Sequence, residues 1–259
     1  MAGKSDHSEN KPARLLTGFT HLANWFSICL SIAWKETKNF YVSWMAYIVT
    51  SAFLLIIGYI FYIIVKLGQV SAMPAFYGNM AIILLMIIPM ITMRLLAEER
   101  KTGTLELMLT SPVTDWQTVL GKFLGAMNIV LVMIALSLYA PLLMLKYGTV
   151  DLGPYGTSYI GLIAICATMV AIGVFWSSCT DSQIVAAVAT FGTLLFLWII
   201  GWSESQSWLG ELCSSLSIQR RFEGFSTGLM QTRDLVFYAS CSIAALFLSV
   251  RALESRRWR

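Results

Sequence analysis

The chain has 259 residues, 57% of them hydrophobic and 12% charged, with a formal net charge of +4 and a mean hydropathy of +0.70. Soluble domains carry about 25% charged residues, so this composition excludes an ordinary soluble fold and points to a membrane protein. The apolar runs are continuous and about twenty residues long, as a helix crossing hydrocarbon requires, and lack the roughly ten-residue alternation of barrel strands. No basic patch interleaves with exposed aromatics, so nucleic acid is excluded as a partner.

In chain order, residues 1–14 (MAGKSDHSENKPAR) are polar and read as a disordered cytoplasmic tail. Residues 15–41 mix apolar groups with Asn24, Ser27, Ser31, Lys35, Glu36 and Lys38. They predict an elbow helix lying in the membrane interface, with Trp25 and Trp34 at headgroup depth. The rest, 42–259, reads as a single membrane domain with six transmembrane helices near 42–65, 75–93, 116–145, 158–177, 184–202 and 235–253. The fold class is therefore all-α and polytopic.

An even number of spans puts both termini on one side. That side collects Lys4, Lys11, Arg14, Lys35, Lys38, Arg94, Arg100, Lys101, Lys122, Arg251, Arg256, Arg257 and Arg259. The other side has Lys66, Lys146, Arg220, Arg221 and Arg233, and the bias of thirteen to five makes the termini cytoplasmic by the positive-inside rule. The expected location is the cell inner membrane.

Two polar intervals interrupt the apolar chain. The first, within 93–122, packs Glu98, Glu99, Arg100, Lys101, Glu106 and Asp115 between the second and third spans. Thr114-Asp115-Trp116-Gln117 reads as a capping box that opens the third span, with Thr114 and Gln117 bonding reciprocally to backbone N–H groups. Thr180 and Gln183 repeat the arrangement before the fifth span. The second interval, 203–234, lies on the opposite side and predicts short re-entrant helices carrying Arg220, Arg221, Phe222 and Phe225.

The spans carry no Asp, Glu, Lys or Arg near their centres, which argues against an ion-coupled carrier, where such costly groups are kept for function. No filter-like loop suggests a channel. The chain has no nucleotide site, because Trp116 and Phe123 stand where a P-loop around Gly121-Lys122 needs Gly and Ser or Thr. No catalytic constellation is visible. The cysteines have no metal-ligand or disulfide spacing and read as packing residues.

Ala97-Glu98-Glu99-Arg100-Lys101, Gly103-Thr104-Leu105-Glu106, Leu107-Met108-Leu109, Ser111-Pro112-Val113 and Gly121-Lys122 stand in order between two spans. This combination resembles the permease subunits of ABC-2-type ATP-binding-cassette transporters, with the closest look to the gliding-motility-type and nitrous-oxide-accessory-type permeases. Phe222, Phe225, Gly228 and Asp234 fit the same subgroup. The resemblance implies a non-enzymatic subunit that pairs with a second permease subunit, identical or not, and docks on a dimer of cytoplasmic ATPase subunits, which hold the ATP and magnesium. The segment 94–114 is then the coupling element, with Gly103 as turn, Thr104 as cap, Glu106 in the first helical turn and Pro112 as terminator. Leu105, Leu107 and Met108 supply apolar contacts, and Glu98, Glu99, Arg100 and Lys101 form salt links. Export of an unidentified substrate is the expected function. Two alternatives are a mechanical subunit that relays ATPase strokes through Arg220–Phe225 to a periplasmic or surface partner, and, less favoured, a carrier or channel.

Overall fold

The structure, a computed structural model, describes residues 11–67, 73–103, 113–147, 152–202 and 216–257. The described residues are helical and contain no strand. In chain order the helices are α1 (Lys11–Val42), α2 (Trp44–Lys66), α3 (Met73–Thr92), α4 (Ala97–Lys101), α5 (Asp115–Leu136), α6 (Tyr139–Tyr147), α7 (Leu152–Cys179), α8 (Gln183–Ile199), α9 (Ile218–Ser226) and α10 (Thr232–Arg257). A 3-10 turn, Ile200–Trp202, follows α8.

Among the described residues five stretches are long and apolar enough to cross a membrane: Trp44–Lys66, Met73–Lys101, Asp115–Met144, Gly153–Cys179 and Thr232–Ser255. The expected fifth span, α8, is apolar but has 17 residues. At 1.5 Å per residue it reaches about 25 Å. The expected third span is one apolar run in two helices, and the break has a covalent cause. Pro141 has no N–H, and its ring crowds the carbonyl four residues earlier. That residue is Ser137, where α5 ends.

Helix α7 is the centre of the bundle and packs against α3, α5, α8, α9 and α10. Its sequence is apolar on every side, as expected of a helix enclosed by others. Leu162, Ile165, Cys166, Met169, Val170 and Val174 are all fully buried. Small residues let neighbours come close, as in membrane helix packing generally. A β-carbon at Gly161 would sit 2.6 Å from Cβ of Phe225, and one at Gly173 would collide with Thr92. Helix α2 lies at the edge. It buries Ala46, Val49, Phe53, Ile57 and Ile64, and turns Leu55, Tyr59 and Tyr62 outward.

The N-terminal helix is longer than the sequence suggested. It includes Lys11–Arg14, which composition had assigned to a disordered tail; residues 1–10 of that tail lie outside the described residues. Its principal neighbour is α5. Ile32 meets Gly121, Ala33 and Glu36 meet Gly125, and Asn128 Nδ2 donates to Thr37 Oγ1 at 3.4 Å. Both numberings rise together, so the helices run parallel. The Gly121-x-x-x-Gly125 pair is thus spent on an intrachain contact, since a β-carbon at either glycine would lie 2.7 Å from an α1 side chain. Ser43 then caps α2, its Oγ accepting from the Met45 N–H at 3.3 Å, so the chain turns sharply from α1 into α2.

Replacing Gly173 by leucine puts a branched side chain against Thr92 and should cost about 1–3 kcal/mol, the usual range for overpacking. A lowered melting temperature in detergent, absent for leucine at the open Gly192, is the expected outcome.

Candidate functional site

The polar segment that follows α3 is fastened to the bundle at three points. The first is Ser177, fully buried near the end of α7. The chain leaves α3 at Thr92 and enters α4 at Ala97, and the N–H groups of Leu96 and Ala97 both donate to Ser177 Oγ, at 3.0 and 3.2 Å. The same hydroxyl donates to the Met93 carbonyl at 3.3 Å. One side chain therefore satisfies backbone groups that the change of helix leaves without intrahelical partners.

The second point is Lys122, one of the largest fully buried side chains among the described residues. Its Nζ lies 2.8 Å from Oε1 of Glu36 on α1 and 2.8 Å from Oε1 of Glu99 on α4. Three separate stretches of chain meet at this ammonium. Glu36 and Glu99 keep 15% and 21% of their side-chain surface, so both carboxylates sit at the edge of water while the cation does not. Taking the ammonium out of water costs several kcal/mol, which is recovered only while its partners stay in place. A cavity of about 240 Å³ opens beside them, bounded by Asn39, Phe40, Arg94 and Glu98 as well as the two glutamates.

The third point is Arg100, whose guanidinium bonds Asp181 at 3.0 Å in the turn between α7 and α8. Asp181 is 68% exposed, so water screens this pair and it contributes less than the Lys122 pairs. Helix α4 then stops. Gly103 has φ +72°, in the left-handed region where a β-carbon is penalised, and its N–H donates to the Arg100 carbonyl at 3.1 Å. Thr102 Oγ1 donates to the Glu98 carbonyl.

Of the expected coupling residues, Glu98, Glu99, Arg100, Lys101 and Gly103 are therefore brought together on one short helix and its stop. Thr104, Leu105, Glu106, Leu107, Met108 and Pro112 lie outside the described residues. Thr114 and Gln117 form the reciprocal box: Gln117 Oε1 accepts from the Thr114 N–H at 2.9 Å, and Thr114 Oγ1 from the Gln117 N–H at 3.4 Å.

The matching expectation at Thr180 and Gln183 is corrected. The cap position of α8 is Ser182, with no side-chain cap bond, and Gln183 is the first helical residue. Thr180 Oγ1 turns back to the Trp176 carbonyl at 3.2 Å and finishes α7, while Asp181 goes to Arg100. Competing partners removed the box.

At the opposite end of α7, the short helix α9 is built into the bundle. Phe222 and Phe225 are buried, Tyr238 donates to the Ile218 carbonyl at 2.8 Å, and Thr157 donates to the Phe225 carbonyl at 3.1 Å. Arg221 bonds Asp234 at 2.7 Å with its guanidinium 4.1 Å over the Phe237 ring, whereas Arg220 is exposed. Gly228, at φ +90°, ends α9 in a Schellman arrangement, with its N–H on Phe225 and that of Leu229 on Gly224. The second short helix expected here falls in 203–215, outside the described residues.

Sequence reasoning missed the Glu36–Lys122–Glu99 cluster. The available signal was a lysine two turns inside an otherwise apolar helix, between two glycines spaced for close helix contact.

Among the described residues the fold is an all-helical membrane bundle with a charged, anchored segment between its second and third spanning stretches. Residues 66–205, just over half of the chain, match the family model described as ABC-2 family transporter protein. The chain belongs to that family and is a permease of ABC transporters, whose members typically pair with an ABC ATPase. No curated protein gives a significant match.

Replacing Lys122 by methionine leaves two carboxylates facing each other without their cation and should cost about 3–5 kcal/mol. Asp181→Asn should cost less than that, because the Asp181 carboxylate is open to water although Arg100 is not. Melting temperatures of the purified variants check the order, and adding Glu36→Gln to Lys122→Met should recover part of the loss.

Proposed function

We propose that this permease couples ATP hydrolysis on a separate cytoplasmic ATPase dimer to export of a substrate across the inner membrane. Six spans, both termini in the cytoplasm and a second permease subunit complete the assembly. The observation that carries the reading is the position of Lys122. It bonds α1 and α4 at the root of the segment that leads into 104–112, the stretch proposed to dock on the ATPase. A displacement of that stretch would be passed to α4 and, through the shared ammonium, to the start of α5 and to α1 as one body. Ser177 and Asp181 pass it to α7 and the start of α8.

Closure of the ATPase pair on ATP would move the docked segments, tilt α3 and α5 together and bias the permease between its two openings. Lys122 supplies the stiffness of that joint, and Glu106 its docking contact. ATP and magnesium belong to the partner chain. Within the family, Phe222, Phe225, Gly228 and Asp234 support a place among the gliding-motility-type and nitrous-oxide-accessory-type permeases. A mechanical relay to an outer partner would need Arg220–Phe225 on the surface. Both phenylalanines are buried, which favours transport.

The test is ATPase turnover of the complex of this permease with its nucleotide-binding subunit in nanodiscs. Glu106→Arg should weaken co-purification and uncouple hydrolysis from the membrane domain. Lys122→Met, where it folds, should keep the ATPase bound but lose the effect of the permease on turnover. Unchanged assembly and turnover in Glu106→Arg would refute the docking role.

A further inference from the structure

At the end of the bundle opposite α4, a cleft of about 450 Å³ opens between α3, the end of α8 and α9. Its lining is mixed: Asn79, Gln219, Glu223 and Thr227 are polar, and Ile82, Trp198 and Phe222 are apolar. Among its lining residues the one charged group is Glu223, an exposed carboxylate whose Oε1 accepts from Gln219 Nε2 at 3.4 Å. Gly78 has nothing within 4 Å of where a β-carbon would stand, so the cleft floor is open space.

From this cleft an exposed stripe runs along α3 through Ala75, Asn79, Ile82, Met86 and Met90, at spacings of three and four residues. The described helices leave this face uncovered, although α3 is otherwise largely buried. Beyond Asn79 the stripe is wholly apolar. Met86 and Met90 have unbranched side chains that adapt to flexible partners.

We infer that the cleft and stripe form one binding site for a single-chain amphiphile with a cationic, hydrogen-bonding head. The head sits at Glu223, Asn79, Gln219 and Thr227, and the tail lies along Ile82, Met86 and Met90. The separation of polar and apolar contacts along one line matches the shape of such a molecule. The carboxylate disfavours sulfate or phosphate heads by like-charge repulsion, which is modest because Glu223 is exposed. The assignment deepens the transport reading by naming a substrate class, and rests on it only for what becomes of the bound molecule.

The experiment uses the full chain in phosphatidylcholine nanodiscs. The probe is a long-chain primary alkylammonium with a diazirine midway along its tail, and a sulfate-headed analogue serves as control. Photolabelling read by peptide mass spectrometry should concentrate on α3 at Ile82, Met86 and Met90. Gly78→Phe fills the open floor and should abolish it. Glu223→Gln should lower ammonium labelling about tenfold, the scale of a lost hydrogen bond to a charge, and raise sulfate labelling rather than lower it. Labelling spread evenly over α2 and α3, or unaffected by Gly78→Phe, overturns the site. So does spontaneous Met86→Cys cross-linking between copies that the probe does not compete away, since the stripe would then be a face between subunits. Labelling needs no ATPase, so a failure to recruit one would sink the transport reading and leave the site standing. ATP-dependent loss of the probe from proteoliposomes separates cargo from resident lipid.

Discussion

A primary ammonium buried in a helical bundle is stable only while its counter-charges are held against it, and much of the architecture at the α4 end serves that requirement. Lys122 has two carboxylate partners on two different helices. For Glu36 to reach it, α1 must lie close along α5, which Gly121 and Gly125 permit. For Glu99 to reach it, the chain must leave α3 early and start a new helix in a fixed direction, which Ser177 enforces by holding the backbone of Leu96 and Ala97. The glycines, the serine and the three ionic groups are one device, and any of them is intelligible only with the others.

The opposite end is built on a different principle. There α9 is fixed mainly by burial of Phe222 and Phe225 against the glycine-opened side of α7, and hydroxyl groups collect the carbonyls left over at the helix ends. Arg221 keeps its charge at the edge of water by lying on Phe237 and bonding Asp234. This end is stapled by packing and the other by charge, so the two differ in what disturbs them. Charge-altering substitutions therefore act most strongly at the α4 end, where the buried cation sits.

What the sequence disclosed was the part governed by local rules. Uninterrupted apolar runs gave the long helices, and Thr114 and Gln117 gave a box that closes within four residues. What it withheld depended on partners far along the chain. Thr180 and Gln183 have the same letters as the first box, yet Asp181 is drawn to Arg100 and Thr180 to Trp176, and neither competitor is visible locally. The break before Pro141 follows from proline chemistry, but a single apolar run hides it. Lys122 looked like the polar border of a span, and only the approach of α1 turns it into an interior group. The apolar stripe on α3 was equally hidden, because a half-covered membrane helix and a fully covered one have similar compositions.

The parallel seating of α1 on α5 also has a consequence for how the protein is made. Glu36 and Lys122 are 86 residues apart, so α1 leaves the ribosome long before its partner exists. At about 5–20 residues per second, the N-terminal helix waits on the order of ten seconds with its Cys29, Ala33 and Thr37 face uncovered. Arrival of the third spanning stretch then brings both the glycine seat and the cation at once. The N-terminal helix is thus seated only once the third spanning stretch has been made.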